Sequence, residues 1–200
     1  MGEEKRVQTG RARRSLTAQD WVDAALAAVG EGGLAAVAVE PLAKRLGATK
    51  GSFYWHFAHR EALIDAVLAR WEKRNVEVTA AAVAAAAAES APADRLRRFF
   101  LEVPATETGH PVEVAMLAAA DHPQVMPVLK RVIQRRIDLI AGLFADFGFS
   151  REESRRRGLM IYVYYVGQMA IIHAVPSVLP APQDREGYLH TLTHTFTHPD

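Results

Sequence analysis

The sequence predicts an all-α protein of about nine helices, and three observations carry this prediction. Apolar residues recur at spacings of three and four in nearly every segment, as on one face of a helix. No run shows a convincing alternation with a period of two, which a half-buried strand would show. Capping residues and glycine or proline breakers stand between the apolar faces. With 200 residues, half of them hydrophobic, the chain can bury one sizeable core.

The first three predicted helices are short and follow one another closely. Thr17 opens a capping pair for the first helix, and the glycine-rich stretch 30–33 ends it. The second helix runs from about Val39 to Leu46. After a turn at Gly47, the third helix covers about Lys50 to Phe57. These three helices form a compact unit, so we predict an N-terminal domain over residues 1–60.

Longer helices are predicted for residues 61–200, which we assign to a second, helical domain. A long fourth helix starts near Glu61 and runs into the alanine-rich stretch 80–88, because alanine is the best helix former. Loops are expected near 104–111 and 176–183. The remaining predicted helices cover about 92–103, 112–120, 124–147, 152–175 and 184–196.

The third helix has an unusual exposed face. Phe53 and Phe57 are four residues apart and must both point inward. The polar and aromatic residues around them therefore cannot all be buried. A short helix that shows hydroxyls, a cation and amphipathic aromatic rings to solvent is suited to contact a polar, anionic surface. DNA is the first candidate for that surface.

Charge and composition allow such a role. The net charge is only +1, so affinity for DNA must come from local charge. A basic arm can lie along phosphates or enter a minor groove, whereas its alternative is a solvated, disordered terminus. The chain has no cysteine, which fits a reducing cytosol, and its polar N-terminus does not resemble a signal peptide, so we expect a cytoplasmic protein. The arm consists of Lys5, Arg6, Arg11, Arg13 and Arg14.

Residues of the second, third and fourth helices carry a resemblance to a known family. The run from Thr49 to Phe57 reads Thr-Lys-Gly-Ser-Phe-Tyr-Trp-His-Phe, and Leu42-Ala43 and Leu46-Gly47 precede it. Arg60-Glu61-Ala62-Leu63 follows it. In this order, and at this distance from a capped first helix, residues 17–68 resemble the helix-turn-helix DNA-binding domain of the TetR (tetracycline-repressor-like) family of bacterial regulators.

The resemblance implies roles for individual residues. Residues 49–51 would contact base edges, and Tyr54, His56 and Arg60 would contact phosphates. Tyr54 or Trp55 could also meet thymine methyl groups. Where the family often has a threonine cap on the second helix, this chain has Ala38, and such a loss costs about 1 kcal/mol. The full implied DNA-binding set is Thr49, Lys50, Gly51, Ser52, Tyr54, Trp55, His56 and Arg60.

The resemblance also implies a homodimer and a small-molecule effector. The dimer would form through the helices near 152–175 and 184–197, so that double-stranded DNA is bound at a palindromic operator. A hydrophobic effector inside the second domain would release a repressor from that operator. For each candidate pocket residue, plain core packing is the alternative: Trp71, Phe99, Phe100, Met116, Met126, Tyr162, Tyr165, Met169 and His173.

Other functions have less support in the sequence. A helical carrier or enzyme with a vestigial helix-turn-helix remains the alternative, but no catalytic motif, cofactor loop or metal motif is found, so we expect no enzyme activity. His190, His194 and His198 recur every four residues, yet surface or interface histidines are favoured over a metal site. Leu159 to Val175 is apolar enough to suggest a membrane anchor, but a buried helix explains it better.

Overall fold

The computed structural model describes residues 16–102 and 110–197. Within these residues the chain is all-α, so the predicted fold class is confirmed. Short 3-10 turns lie at Leu34–Ala36, Pro176–Val178 and Pro182–Asp184. The basic arm and His198 lie outside the described residues. The described helices are α1 (Ala18–Gly32), α2 (Val39–Leu46), α3 (Lys50–Tyr54), α4 (Arg60–Ala86), α5 (Pro92–Glu102), α6 (His110–Ala118), α7 (Val125–Ala145), α8 (Arg151–Ala174) and α9 (Arg185–Thr197).

The end of α3 differs from the sequence prediction, whereas α1 ends where it was predicted to end. Helix α3 ends at Tyr54 rather than at Phe57, because the chain tightens after it. The backbone N–H groups of His56 and Phe57 both donate to the carbonyl of Phe53, at 2.9 and 3.0 Å. Helix α1 ends at Gly32, within the predicted stretch 30–33, because Gly33 adopts a positive φ of 70°. The tightened turn keeps Phe53 and Phe57 on one face, as the spacing predicts.

The N-terminal helices share one hydrophobic core with part of the second domain. Trp21 of α1 and Phe53 of α3 are fully buried, and their rings meet edge to face at 5.4 Å. Met116 of α6 and Val125 of α7 belong to the same buried cluster. The hydrophobic core therefore contains residues from both sides of the domain boundary predicted at residue 60. The boundary itself stays a prediction.

A second core lies among α4, α5, α7, α8 and α9. It contains Phe99, Ile140, Phe144 and Ile161, all nearly inaccessible to solvent. Helices α7 and α8 pack closely along their length. The guanidinium of Arg157 on α8 donates from Nη1 to the carbonyl of Phe196, at 2.5 Å, and so attaches the end of α9 to this core.

Gly158 marks the point where α8 comes closest to α7. A Cβ at this position would lie 2.8 Å from the carbonyl oxygen of Ile137 and 3.1 Å from the nitrogen of Ala141. Both are backbone atoms, so a Gly158→Ala variant must move the helices apart. We expect a loss of about 1–3 kcal/mol in the free energy of unfolding, measured by urea denaturation.

The matched control for this prediction is Gly142→Ala on the exposed side of α7, where an added Cβ meets nothing within 4 Å. That variant should be stabilised by up to about 1 kcal/mol, because alanine favours helix over glycine. Equal stability of the two variants would contradict the close approach at Gly158.

Candidate DNA-binding surface and effector cavity

The turn between α2 and α3 positions α3 at the surface. Gly47 ends α2 in the left-handed conformation, with a φ of 62° that favours glycine. Thr49 then caps α3, because its Oγ1 accepts a hydrogen bond from the N–H of Ser52 at 3.2 Å. Ala38 caps α2 without any side-chain hydrogen bond, as the sequence indicates. Helix α3 is therefore fixed at its start by its own sequence and by the buried Phe53.

Most of the predicted DNA-binding residues lie on the exposed face of α3 and the turn after it. Thr49, Lys50 and Gly51 are exposed, and Ser52 is half-buried. Tyr54 and Trp55 have exposed fractions of 59% and 89%, which is unusual for large aromatic side chains. Rings of this size left in solvent beside a cation indicate a contact surface.

His56 joins this surface to the start of α1. Its Nε2 donates to the carbonyl oxygen of Leu16, at a distance of 3.0 Å. A shallow depression forms beside this bond, lined by Leu16, Thr49, Gly51, Ser52, Trp55 and His56. The phosphate contact of His56 stays a prediction. The structure shows in addition that the His56 ring is hydrogen-bonded to the residue segment just before α1.

Arg60 is placed differently from the other predicted residues. Its Nε donates to the carbonyl of Val37 at 2.6 Å, and its Nη2 donates to the carbonyl of Leu34 at 2.9 Å. These bonds attach the start of α4 to the segment before α2. A phosphate contact by Arg60 stays a prediction, and it would involve Nη1, which lies 4.0 Å from Oε1 of Glu61.

Glu40 is a member of this surface that sequence reasoning missed. Its carboxylate forms an ion pair with the ammonium group of Lys50. The hydrogen bond and the charge of Lys50 lower the pKa of Glu40, and Glu40 raises the pKa of Lys50 by the same two effects. An acidic residue on α2 did not stand out in the sequence, because its distance to Lys50 depends on the turn at Gly47.

A cavity of about 270 Å³ lies between α5, α7, α8 and α9 in the second domain. Five predicted pocket residues line it: Phe99, Phe100, Tyr162, Tyr165 and Met169. Sequence reasoning missed the remaining lining residues, because several of them reach the cavity from the loop after α8 and from the start of α9. They are Arg136, Ile140, Ile161, Tyr164, Gln168, Ile172, Leu179, Pro180, Tyr188 and Leu189.

The other four predicted pocket residues lie elsewhere. Trp71 and Met116 are buried in the N-terminal core. Met126 and His173 are exposed. Helical spacing places Trp71 and Met116 inward correctly, but it does not tell which of two cores they enter. The effector role of all nine residues stays a prediction.

A buried polar cluster forms one wall of the cavity. The Arg136 guanidinium donates from Nη1 to Oε1 of Glu113 and from Nε to Oγ1 of Thr79, both at 3.1 Å. The phenol of Tyr162 donates to the same Oε1 at 3.2 Å. The Arg136 guanidinium carbon lies 5.1 Å from the ring centre of Tyr162 and 4.4 Å from that of Tyr165. The cluster thus connects α4, α6, α7 and α8.

Charge compensation holds this cluster together. Burial alone would lower the pKa of Arg136, but the Glu113 carboxylate and the two tyrosines outweigh it and raise that pKa. Burial raises the pKa of Tyr162 and of Tyr165, so both phenols stay protonated at neutral pH. The cluster is therefore a buried ion pair of Arg136 and Glu113, in which the neutral Tyr162 hydroxyl donates to Glu113 and the Thr79 hydroxyl accepts from Arg136.

Metal binding and membrane insertion find no support in the described part of the chain. The rings of His190 and His194 lie 6.4 Å apart, and no group of three potential metal ligands occurs among residues 16–102 and 110–197. No helix within those same ranges is long and apolar enough to span a membrane.

Comparison with known proteins shows which family of DNA-binding domains the N-terminal helices resemble. A helix-turn-helix whose exposed recognition helix follows a glycine turn defines a DNA-binding regulator. The family model described as bacterial regulatory proteins, tetR family, matches residues 22–67, which include α2, α3 and the start of α4. Residues 22–67 therefore match the DNA-binding domain of this family, as the sequence resemblance predicted. Proteins of the TetR family bind DNA and form dimers.

Solved structures of similar fold cover nearly the whole chain. A transcriptional regulator from Rhodococcus sp. Rha1 superimposes with a TM-score of 0.72 at 16% identity, over 90% of this chain and 96% of the other. The multidrug binding protein EbrR, complexed with malachite green, has a TM-score of 0.65 at 21% identity, over 91% and 98%. SmeT, the repressor of the Stenotrophomonas maltophilia multidrug efflux pump SmeDEF, has a TM-score of 0.63 at 20% identity, over 90% and 89%. No curated protein matches the chain.

Proposed function

We propose that this protein is a ligand-responsive repressor of transcription that acts in the bacterial cytoplasm as a homodimer. The dimer binds a palindromic operator, and a small molecule in the cavity releases it. The observation that carries the proposal is the exposed face of α3, where Trp55 and Tyr54 stand in solvent beside Lys50. Members of this family are generally not enzymes, and we propose no catalytic activity.

The homodimer is supported by an exposed apolar face on α8. Leu159, Met160, Val163 and Ile171 are 41–60% exposed in the single chain, at spacings that place them along one side of the helix. The sequence predicted that this helix is buried all round, whereas in one chain only the opposite side is covered. A second copy packed against α8 and α9 would cover the rest, and it would place two α3 helices on one face of DNA.

The effector proposal is supported by the position of the polar cluster. Glu113, which bonds to Arg136 and Tyr162 of the cavity wall, lies on α6. The start of α6 presses on α1, since a Cβ on Gly30 would lie 3.4 Å from side-chain atoms of both Pro111 and Val112. A ligand that displaces the cavity wall would therefore move α6 against the DNA-binding domain and change the spacing of the two α3 helices. The ligand-bound EbrR and the repressor SmeT support this proposal as proteins of similar fold.

DNA binding can be tested with a Trp55→Ala variant. Trp55 makes little contact within the chain, so we expect an unchanged melting temperature and a loss of about tenfold or more in affinity for an operator selected from random DNA. Fluorescence anisotropy with operator and scrambled duplexes measures both affinities. The control variant is Val178→Ala, another exposed apolar side chain, which should bind DNA as the wild type does. Equal binding of operator and scrambled DNA by the wild type would overturn the proposed function.

Glu40→Gln is expected to strengthen binding to every DNA duplex. The variant frees Lys50 from its ion pair and removes a carboxylate from the face that meets phosphates. The freed Lys50 then pairs with a phosphate in place of the base-edge contact that the resemblance implies. One new phosphate contact per protomer should steepen the slope of log K against log salt by about 0.9, or about 1.8 for a dimer. Titrations at four salt concentrations measure the slope.

The control for the salt slope is Glu77→Gln, which breaks an exposed ion pair with Lys73 on α4. It should leave the slope unchanged, because Glu77 lies beyond the residues matched by the DNA-binding family model. An unchanged slope in Glu40→Gln would show that Lys50 already contacts phosphate in the wild-type complex.

A further inference from the structure

The charge that lines the cavity is positive. Among the described residues of its lining, Arg136 alone carries a full charge, and the rest are apolar, phenolic or amide side chains. Its partner Glu113 is not part of the lining, and it stands behind the guanidinium with a side chain only 2% exposed. A molecule that enters the cavity therefore meets a cation before it meets any carboxylate.

The Arg136 guanidinium has donor capacity to spare. A guanidinium has five N–H donors. Hydrogen bonds to Glu113 and Thr79 use two of these donors, and the ring of Tyr165 packs against the same guanidinium. The hydrogen bond to Glu113 is made by one oxygen at 3.1 Å, longer than the usual 2.7–2.9 Å between a cation and an anion. A second oxygen acceptor, supplied by a ligand, can therefore be bound without breaking this ion pair.

Among the described lining residues a hydrophobic cation meets no carboxylate, and only aromatic rings could attract it. The ring faces of Tyr162 and Tyr165, which could attract a cation, are occupied by Arg136 at 5.1 and 4.4 Å. Both phenols stay neutral, because burial raises their pKa values, so they add donors and no negative charge. A ligand ammonium group would be desolvated beside the guanidinium and repelled by it.

The rest of the lining is suited to a hydrophobic body. Phe99, Phe100, Ile161, Met169 and Leu189 provide apolar walls. The volume of about 270 Å³ lies just below the range of about 300–1,000 Å³ typical of small-molecule pockets. One or two fused rings would fill it.

We propose that the cavity binds a hydrophobic organic acid of one or two rings, with its carboxylate on Arg136, and that it discriminates against hydrophobic cations. This inference rests on the proposed effector role of the cavity and names the chemistry of that effector. The carboxylate takes the donors that Glu113 and Thr79 leave unused, and the ring body lies against the phenylalanines of α5.

Three probes of the same shape test this proposal: naphthoate, naphthamide and naphthylmethylammonium. Isothermal titration against the full-length protein should give the acid a Kd about fivefold to tenfold lower than the amide, because a charged acceptor strengthens the hydrogen bond to Arg136. The ammonium should bind at least about tenfold more weakly than the amide. Ile172→Trp, which fills the cavity, should weaken all three and so locates them there.

A double variant, Glu113→Gln with Arg136→Gln, removes both charges and keeps hydrogen-bonding groups. It should bind the acid and the amide within about twofold of each other. If this variant fails to fold, the order of affinities of the wild-type protein for the acid, the amide and the ammonium decides whether the proposal holds. An amide or ammonium that binds as tightly as the acid overturns the inference, and so does the absence of binding by all three. DNA affinity is measured separately, so the proposed regulator can stand when the acid preference fails.

Discussion

An Arg136→Met variant is expected to lose about 3–5 kcal/mol of folding free energy. The substitution leaves the carboxylate of Glu113 buried without its cation, and the side chains of this pair are only 5% and 2% exposed. It also removes the donor to Thr79, although methionine keeps part of the packing against the tyrosine rings. Urea denaturation at one fixed protein concentration measures the loss, because dimer stability depends on concentration.

Two further variants decide whether the buried charge is the cause. The double variant Glu113→Leu with Arg136→Met should recover most of the lost stability, since an apolar pair often replaces a buried ion pair without cost. Arg155→Met breaks the exposed ion pair between Arg155 and Asp138, and it should cost less than about 1 kcal/mol. A double variant no more stable than Arg136→Met would refute this explanation.

A Val163→Arg variant is expected to convert the dimer into a folded monomer and to weaken operator binding by about a thousandfold or more. Val163 is 60% exposed in the single chain, so arginine is accommodated there without disturbing the fold. In the proposed dimer the same guanidinium would be buried against the partner without a counter-charge. Each monomer would then hold only half of a palindrome.

Light scattering and DNA titration measure the two expected results of Val163→Arg. Leu101→Arg is the control, because Leu101 is also exposed but lies on α5, which is not one of the two helices of the proposed interface. It should remain dimeric and bind operator normally. A dimeric Val163→Arg protein would place the interface on another face of the molecule.

The DNA-binding domain could be predicted from the sequence because its signals are local. The cap at Thr49, the turn at Gly47 and the four-residue spacing of Phe53 and Phe57 lie within one short stretch, and each acts through neighbouring residues. The ion pair between Glu40 and Lys50 was missed for the opposite reason. It joins two helices, so it depends on the angle that the turn sets between them.

The cavity was predicted only in part, because helical spacing gives the inward face of a helix but not its neighbours. Trp71 and Met116 point inward as predicted, yet they enter the core that α6 and α7 share with α1. Arg136 was not considered, because an arginine amid apolar residues is normally assigned to the surface. Its burial depends on Glu113, which lies 23 residues earlier on another helix.

The intrinsic fluorescence of the three tryptophans should report DNA binding without an added label. Trp21 and Trp71 are 0% and 3% exposed, whereas Trp55 is 89% exposed. Emission from water-exposed indole lies at longer wavelengths than emission from buried indole, so the red edge of the spectrum comes from Trp55. Since Trp55 stands on the recognition surface, a duplex that covers it should shift and quench this component alone. The emission of the buried pair then serves as an internal standard within the same molecule.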